Sequence, residues 1–421
     1  MKKYIFIKSL LLLVCLICFC LGKNMAKAEE QNDWNDIVEA ETHNDWIKWN
    51  RTETATVTEN GVTYDVYFSN DRTECWIYKV TMPEGSTMLK FPKTLQNATV
   101  TKLGCNYESN YTVNIFGQWV EEDDEYGSVV YNSYQKCRYP IKKVSIPDTV
   151  TKITSGTFGF FTQLKSVRLP ENLKAVIHCT FYQCDNLEKI VFPKNMMMVA
   201  SRAFLKSKRI KKISLSKKNR TYKVQDNYLI NRKTKEIEFF ATAKKEIKLP
   251  KEVTVMGQAV AVCAMNATSL YIPKSVTRIE DGALDMRTSL KKITVQKGNK
   301  KYAVHDNCIY RKKDKSLVAV IVKGGKVKVS SKVRSISDKI DVIGKNIKTV
   351  HIPASVKRVY PDWSWELSGR SYEPHYYFYG KKPPKAKEIE DMGASKIYVP
   401  KKWKKNYKNY FCGFYTFNPK K

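Results

Sequence analysis

The stretch LKSVRLPENLKAVIHCTFYQCDN (residues 164–186) runs without a gap into LEKIVFPKNMMMVASRAFLKSKR (residues 187–209). Few letters are shared. Yet Leu164/Leu187, Val167/Ile190, Leu169/Phe192, Pro170/Pro193, Leu173/Met196, Val176/Val199 and Phe181/Phe204 fall in register at a spacing of 23. Carried outward, the proline position recurs at Pro147, Pro170, Pro193, Ser216, Pro250, Pro273, Gln296, Ser330 and Pro353. The steps are 23 or 34 residues. Apolar residues stand one and three places before it in strand-like alternation, and three and six places after it. A skeleton recurring at such a period predicts a solenoid, because one coil cannot enclose a core and must bury its apolar edge against its neighbours. Only inward positions are then constrained, which explains why the skeleton persists while the intervening letters drift.

The two 34-residue steps contain a second repeat, offset by 80. NRTYKVQDNYLINRKTKEIEFF begins at Asn219 and NKKYAVHDNCIYRKKDKSLVAV at Asn299, matching at Asn219/Asn299, Tyr222/Tyr302, Val224/Val304, Asp226/Asp306 and Asn227/Asn307. Asp-Asn tolerates left-handed backbone, so each insert is expected to be a hairpin with a tight turn. One carboxylate per turn is too few oxygen ligands for calcium, and no metal site is expected.

The phrases IPDTVTKITSGTF, LPENLKAVIHCTFYQCDNL and IPKSVTRIEDGAL, together with the NxxYxVxDN inserts, resemble the BspA-like leucine-rich repeats of bacterial secreted and surface proteins. FPKTLQNATVTKLG (residues 91–104) is similar to that family's entry repeat, and KIYVPKKWKKNYKNY from Lys396 to its closing segment. Ala261 and Leu284 depart from the pattern, where an aromatic is expected, and residues 106–137 interrupt it. The resemblance implies a leucine-rich-repeat solenoid with a parallel β-sheet, one strand per coil of about 23 residues. It also implies adhesion to, or binding of, host or microbial surface components.

The expected organisation is a signal peptide over 1–28, a β-rich N-terminal cap over 29–80, a solenoid over 81–359, and aromatic, basic C-terminal repeats with a cap over 360–421. The solenoid is read with an irregular insert at 106–140 and hairpin inserts at 219–243 and 299–323. The leader has lysines, an apolar run from Leu10 to Leu21, then Ala26-Lys27-Ala28 as a cleavage signal. That run is short of the roughly 20 residues that span a bilayer. Cys15, Cys18 and Cys20 follow Val14, Ile17 and Phe19, whereas lipid attachment needs a small residue there. The expectation is a secreted protein, extracellular or associated with a cell surface or wall, with no membrane span.

The 421 residues carry a formal charge of +33; the leader holds five lysines and no acid, so its removal leaves +28. Such an excess attracts polyanions. Nucleic acid is disfavoured, because export removes a genomic target. Eight cysteines remain after cleavage at irregular spacing, with no CxxC pair to suggest structural zinc. The five histidines are scattered, and there is no glycine-rich phosphate loop, HExxH or GxSxG. No enzymatic activity and no cofactor are expected, and Cys184 reads as a core residue.

The functional signal is positional. Four residues before the proline position, on the outward phase of the strand, stand Lys143, Lys189, Lys212, Lys292, Lys326 and Lys396, with Ser166, Glu246, Ser269 and Thr349 at the rest. Five before it stand Lys142, Lys165, Lys211, Lys245, Lys291 and Lys348. Stacked at a strand spacing of roughly 4.8 Å, they form basic columns, the candidate site for a polyanionic glycan, teichoic acid or protein at a cell surface. The competing account is that these lysines only keep an exposed sheet soluble. A structural protein held on anionic wall by charge alone is the alternative function. The acidic run 121–125 reads as a solvated loop tip. The C-terminal aromatics are expected to form a cap that buries Tyr398 and Trp403; otherwise Trp363, Trp365 and Trp403 would be a glycan-stacking platform.

Overall fold

The structure, a computed structural model, describes residues 48–104, 112–117, 119–120, 137–200, 202–257, 263, 266–284, 290–337, 340–344, 346–360, 374–385 and 396–407. The leader, the acidic run 121–125, Trp363 and Trp365 lie outside the described residues, as do Cys105, Cys412 and most of the 106–137 interruption.

The chain is a β-solenoid of about 11 turns with parallel bridges about 23 residues apart. A regular coil contributes twice. A strand of three or four residues before the proline position joins a front sheet, and a two-residue strand five and six places after it joins a side sheet. The register is the one carried by the opening stretch: Val167 pairs with Ile190 and Ile190 with Ile213 in front, and Val176 with Val199 at the side. Within a front strand the side chains alternate, so Val167 and Leu169 are buried while Ser166 and Arg168 are exposed.

Proline ends the strand because it has no N–H for the ladder. Its carbonyl then accepts from the N–H three residues on, at 3.1 Å for Leu173 on Pro170 and 3.1 Å for Val253 on Pro250. This turn swings the third residue inward and the fifth and sixth into the side strand. Beyond it, the aromatic position stacks from coil to coil. Phe181 lies 5.2 Å from Phe158 and 5.2 Å from Phe204, the latter pair at 6° between ring planes. Phe239 continues the column at 4.6 Å from Phe204. Leu284 is also fully buried, so the slot accepts an aliphatic side chain.

Each insert is a three-stranded antiparallel unit. Tyr222–Gln225 and Tyr228–Asn231 are joined through Asp226 and Asn227, both at positive φ (50° and 61°), the backbone of a type I′ turn. Glu236–Phe240 follows and rejoins the side sheet in parallel with Val255–Met256. The second insert repeats this with Tyr302–His305, Cys308–Arg311 and Leu317–Ile321. One asparagine ties each insert to the coil before it. The Asn219 amide donates to the carbonyls of Pro193 (3.1 Å) and Met196 (2.9 Å), and its Oδ1 accepts from the Tyr222 N–H at 2.7 Å. Asn299 makes the same three bonds to Pro273, Val276 and Tyr302.

At the N-terminal end, Trp49–Glu59, Val62–Ser69 and Glu74–Thr81 form an antiparallel meander that continues in parallel through Ala98–Leu103 to Lys152–Ile153. At the other end, Lys396–Tyr398 is followed by a 3₁₀ helix, Lys401–Tyr407. Tyr407 is fully buried; its hydroxyl donates to the carbonyls of Gly380 (3.1 Å) and Lys382 (3.2 Å). The expected burial of Tyr398 and Trp403 is corrected here: both keep intermediate exposure. Tyr398 stands on the outward phase of its strand, and the closing aromatic is Tyr407, one helical span further on.

Candidate ligand-binding face

All the candidate lysines lie on described residues and all are exposed. Front-sheet pairing places them in rows, which are less continuous than a column of lysines. In the row four before the proline position, Ser166 pairs with Lys189 and Lys189 with Lys212; then Glu246 pairs with Ser269 and Ser269 with Lys292. Further on, Lys326 pairs with Thr349, Thr349 with His375, and His375 with Lys396. Lys143 pairs instead with Met88. Lys189 and Lys212 are therefore adjacent, and among the described residues neither has a carboxylate within ion-pair distance.

The row five before the proline position contains Lys142, Lys165, Lys211, Lys245, Lys291 and Lys348, but also Glu188, between Lys165 and Lys211. Lys211 Nζ reaches Glu188 Oε1 at 3.0 Å, and that bond holds the carboxyl below its usual range. Glu188 stands five before Pro193, in the same frame as these lysines, so the acid that interrupts the row is visible in the sequence itself.

The inserts also divide the front sheet. Ser166–Arg168, Lys189–Phe192 and Lys212–Leu215 form one ladder, Glu246–Lys248, Ser269–Ile272 and Lys292–Val295 a second, and the strands from Lys326–Lys328 to Lys396–Tyr398 a third. The breaks coincide with the Asp-Asn turns. Asn227 Oδ1 accepts from the N–H of Ile213, in the last strand of the first ladder. Asp306 Oδ2 lies 3.9 Å from Lys328 Nζ, in the first strand of the third. The face is thus a set of basic patches separated by acids, among them Glu246, Asp226 and Asp306.

Trp403 lies on the 3₁₀ helix with Lys402 Nζ 4.8 Å from its ring centroid. A different set of aromatics comes together beside it. In the row two before the proline position, His351, Tyr377 and Tyr398 are successive partners. Their rings stack at 4.6 Å and 5°, then at 4.5 Å and 7°. The signal in the sequence was partial: His351 and Tyr398 stand two before Pro353 and Pro400, but the intervening coil is irregular, so Tyr377 had no frame.

Chemistry is sparse elsewhere. His305, Asp306 and Ser330 converge, with His305 Nδ1 2.9 Å from Ser330 Oγ and 3.4 Å from Asp306 Oδ2. Both contacts fall on the same ring nitrogen. A relay needs the acid on one nitrogen and the hydroxyl on the other, so this trio does not assemble one. Burial pushes the thiols of Cys75, Cys263 and Cys308 up to about 12 and that of Cys137 to about 11, and raises Cys184 further. Thiolate is the nucleophile, and these remain thiols at neutral pH. Cys184 is fully buried, its Sγ 3.2 Å from the Phe158 carbonyl. Among the described residues no three His, Cys, Asp or Glu side chains are grouped to hold a metal, and no helix is long and apolar enough to cross a membrane.

Residues 128–245 and 227–317 match the family model described as BspA type leucine rich repeat region, in six copies. No curated protein matches the chain. Among solved structures it is similar to a leucine rich cell surface protein from Faecalibacterium prausnitzii A2-165, with 16% identity over 77% of this chain and 95% of that one and a TM-score of 0.31. It is also similar to a leucine-rich repeat protein from Bacteroides ovatus ATCC 8483, with 14% identity over 86% and 99% and a TM-score of 0.36. A third is the pneumococcal vaccine antigen PcpA, with 13% identity over 87% and 99% and a TM-score of 0.31. The 23-residue coil, the parallel ladders it builds and the match to the family model identify residues 128–317 as BspA-type leucine-rich repeats.

Proposed function

We propose that this chain is an exported, non-catalytic binding protein whose front sheet holds an anionic polymer of a cell surface, such as teichoic acid or an acidic glycan. The observation that carries the reading is the exposed lysine rows, above all Lys189 beside Lys212 with no carboxylate of the described residues in ion-pair distance of either. Two ammonium groups on adjacent strands repel, so a sheet selected only for solubility gains by alternating sign, as Lys211 and Glu188 do next to them. A phosphate or carboxylate polymer supplies the missing countercharge. The apolar leader and a formal charge of +28 after its removal agree with a site outside the membrane, facing polyanions.

The test is equilibrium binding of the mature chain to poly(glycerol phosphate) across a salt series, with neutral dextran as control. Binding to the anionic polymer alone, with log affinity falling linearly against log salt, is expected because bound polymer releases counterions. No binding at low salt, or equal retention on dextran, overturns the proposal.

A further inference from the structure

Over most of the front sheet the row two before the proline position is short, polar or charged (Ser145, Arg168, Ser214, Lys248, Thr294, Lys328), with Val191 and a single ring, Tyr271, as the exceptions. Only at the C-terminal end does it become a stack of three rings, His351, Tyr377 and Tyr398. Stacking covers both faces of Tyr377, while no described ring lies parallel against the outer face of Tyr398. Tyr379, one row over, is 39% exposed, with its hydroxyl held 2.7 Å from His351 Nδ1. It is among only four large hydrophobic side chains exposed to that degree among the described residues.

Tyr377, Tyr379 and Tyr398 wall a solvent-open cavity of about 350 Å³ that Phe378, Val399, Pro400, Lys401 and Lys402 also line. The volume is at the small end of ligand sites. Among the described residues no acidic side chain lines it, whereas two lysines, Lys401 and Lys402, do, the Lys402 ammonium standing 4.8 Å from the neighbouring Trp403 ring centroid. Burial, and then the neighbouring phenol, raise the pKa of Tyr377 and Tyr379, so both remain hydroxyls at neutral pH. The occupant must therefore offer an apolar face to a tyrosine ring, polar groups to phenol oxygens, and negative charge. A quaternary ammonium ion fits the rings but meets two like charges. Inorganic phosphate fits the lysines but leaves the aromatic wall unused.

We infer that the cavity between Tyr377, Tyr379, Tyr398 and Lys401–Lys402 binds one acidic sugar residue, of hexuronic or sialic type, at the end of a glycan. Its C–H face lies on tyrosine, its hydroxyls meet the phenol oxygens, and its carboxylate pairs with the lysines. This site is separate from the lysine rows, and it stands whether or not they bind polymer.

Saturation-transfer NMR and titration of the full mature chain with methyl glucuronide and methyl sialoside test it, against methyl glucoside and inorganic phosphate. At least one acidic sugar should bind about tenfold or more tighter than the neutral glucoside, one ion pair's worth of discrimination. Tyr398→Ala should cost about tenfold or more, as loss of an aromatic anchor does, while Tyr398→Phe keeps the ring and most of the affinity. The double variant Lys401→Gln/Lys402→Gln alters exposed side chains, spares the stack, and should abolish the acid preference while leaving neutral-sugar contact. The triple variant Lys189→Gln/Lys212→Gln/Lys292→Gln should bind the monosaccharides unchanged. Absence of sugar binding, phosphate competing as well as the uronide, or an acid preference that survives the Lys401/Lys402 change each overturns the assignment.

Discussion

Replacing Phe204 by Ala tests the repeat at its most interior point. Phe204 is 1% exposed and lies in the aromatic column, 5.2 Å from Phe181 and 4.6 Å from Phe239, with Phe192 edge-on at 6.3 Å. A buried phenylalanine removes about 200 Å² from water, which at about 25 cal/mol per Å² is about 5 kcal/mol as an upper bound. Ala retains the Cβ, which lowers the figure, while the ring-sized void left between two coils raises it. The expected loss is about 4 kcal/mol, within the range for buried aromatic truncations. Phe204→Leu fills most of the volume and should cost about 1.5 kcal/mol. Urea unfolding followed by far-ultraviolet circular dichroism reports the loss, with hydrogen exchange locating it in the adjacent coils, since a repeat array transmits stability chiefly between neighbours. A loss below about 0.5 kcal/mol, the size of a surface substitution, would refute a continuous core through this position.

Other consequences follow from single groups. Asn219→Ala leaves two carbonyls and one N–H without their partner, and should cost about 2–4 kcal/mol by urea titration; a cost under about 0.5 kcal/mol would mean the insert is not anchored there. Burial, and then Glu236, raise the Glu238 carboxyl to about 7 from 4.5. Its folded state binds the proton more tightly than the unfolded chain, so its contribution is fully present below about pH 4.5 and is lost as pH rises through about 7. Because the residue keeps some water contact, the effect is about 1–2 kcal/mol, below the ~3 kcal/mol of the full shift. Glu238→Gln should therefore gain more stability at pH 8 than at pH 5, and an equal gain at both would contradict this. The thiols of Cys75, Cys184, Cys263 and Cys308 should resist a disulfide reagent at pH 8 until urea unfolds the chain; rapid labelling of any of them in the native protein would contradict their burial.

The coil was legible because burial acts on a fixed frame. Val167, Leu169, Val176 and Phe181 meet their counterparts 23 residues on, so the apolar skeleton carried both register and face. The Asp-Asn pairs were legible too, since positive φ at two successive residues narrows the choice of side chain. How the inserts cut the front sheet was not legible, because a wedge between strands is set by three-dimensional contacts of Asn227 and Asp306. The same holds for the aromatic cavity. It depends on coil steps of 26 and 21 residues around Tyr379, read only from strand pairing, so Tyr377 and Tyr398 could not be aligned in advance. Trp403 was drawn toward the core by its size, whereas the buried position at that end belongs to Tyr407.

The most direct test of the binding face compares two triple variants of equal charge. Lys189→Gln/Lys212→Gln/Lys292→Gln removes three front-sheet cations, and Lys233→Gln/Lys313→Gln/Lys315→Gln removes three from the turns of the inserts. Affinity for poly(glycerol phosphate) is measured for each across a salt series. If the rows hold the polymer, the first variant binds more weakly at every salt concentration and its log–log slope falls in magnitude by about two, three contacts at about 0.7 each for a single-stranded polyanion. The second variant keeps nearly the parent slope. Equal losses from the two variants would mean that net charge alone governs binding, and would contradict a site on the front sheet.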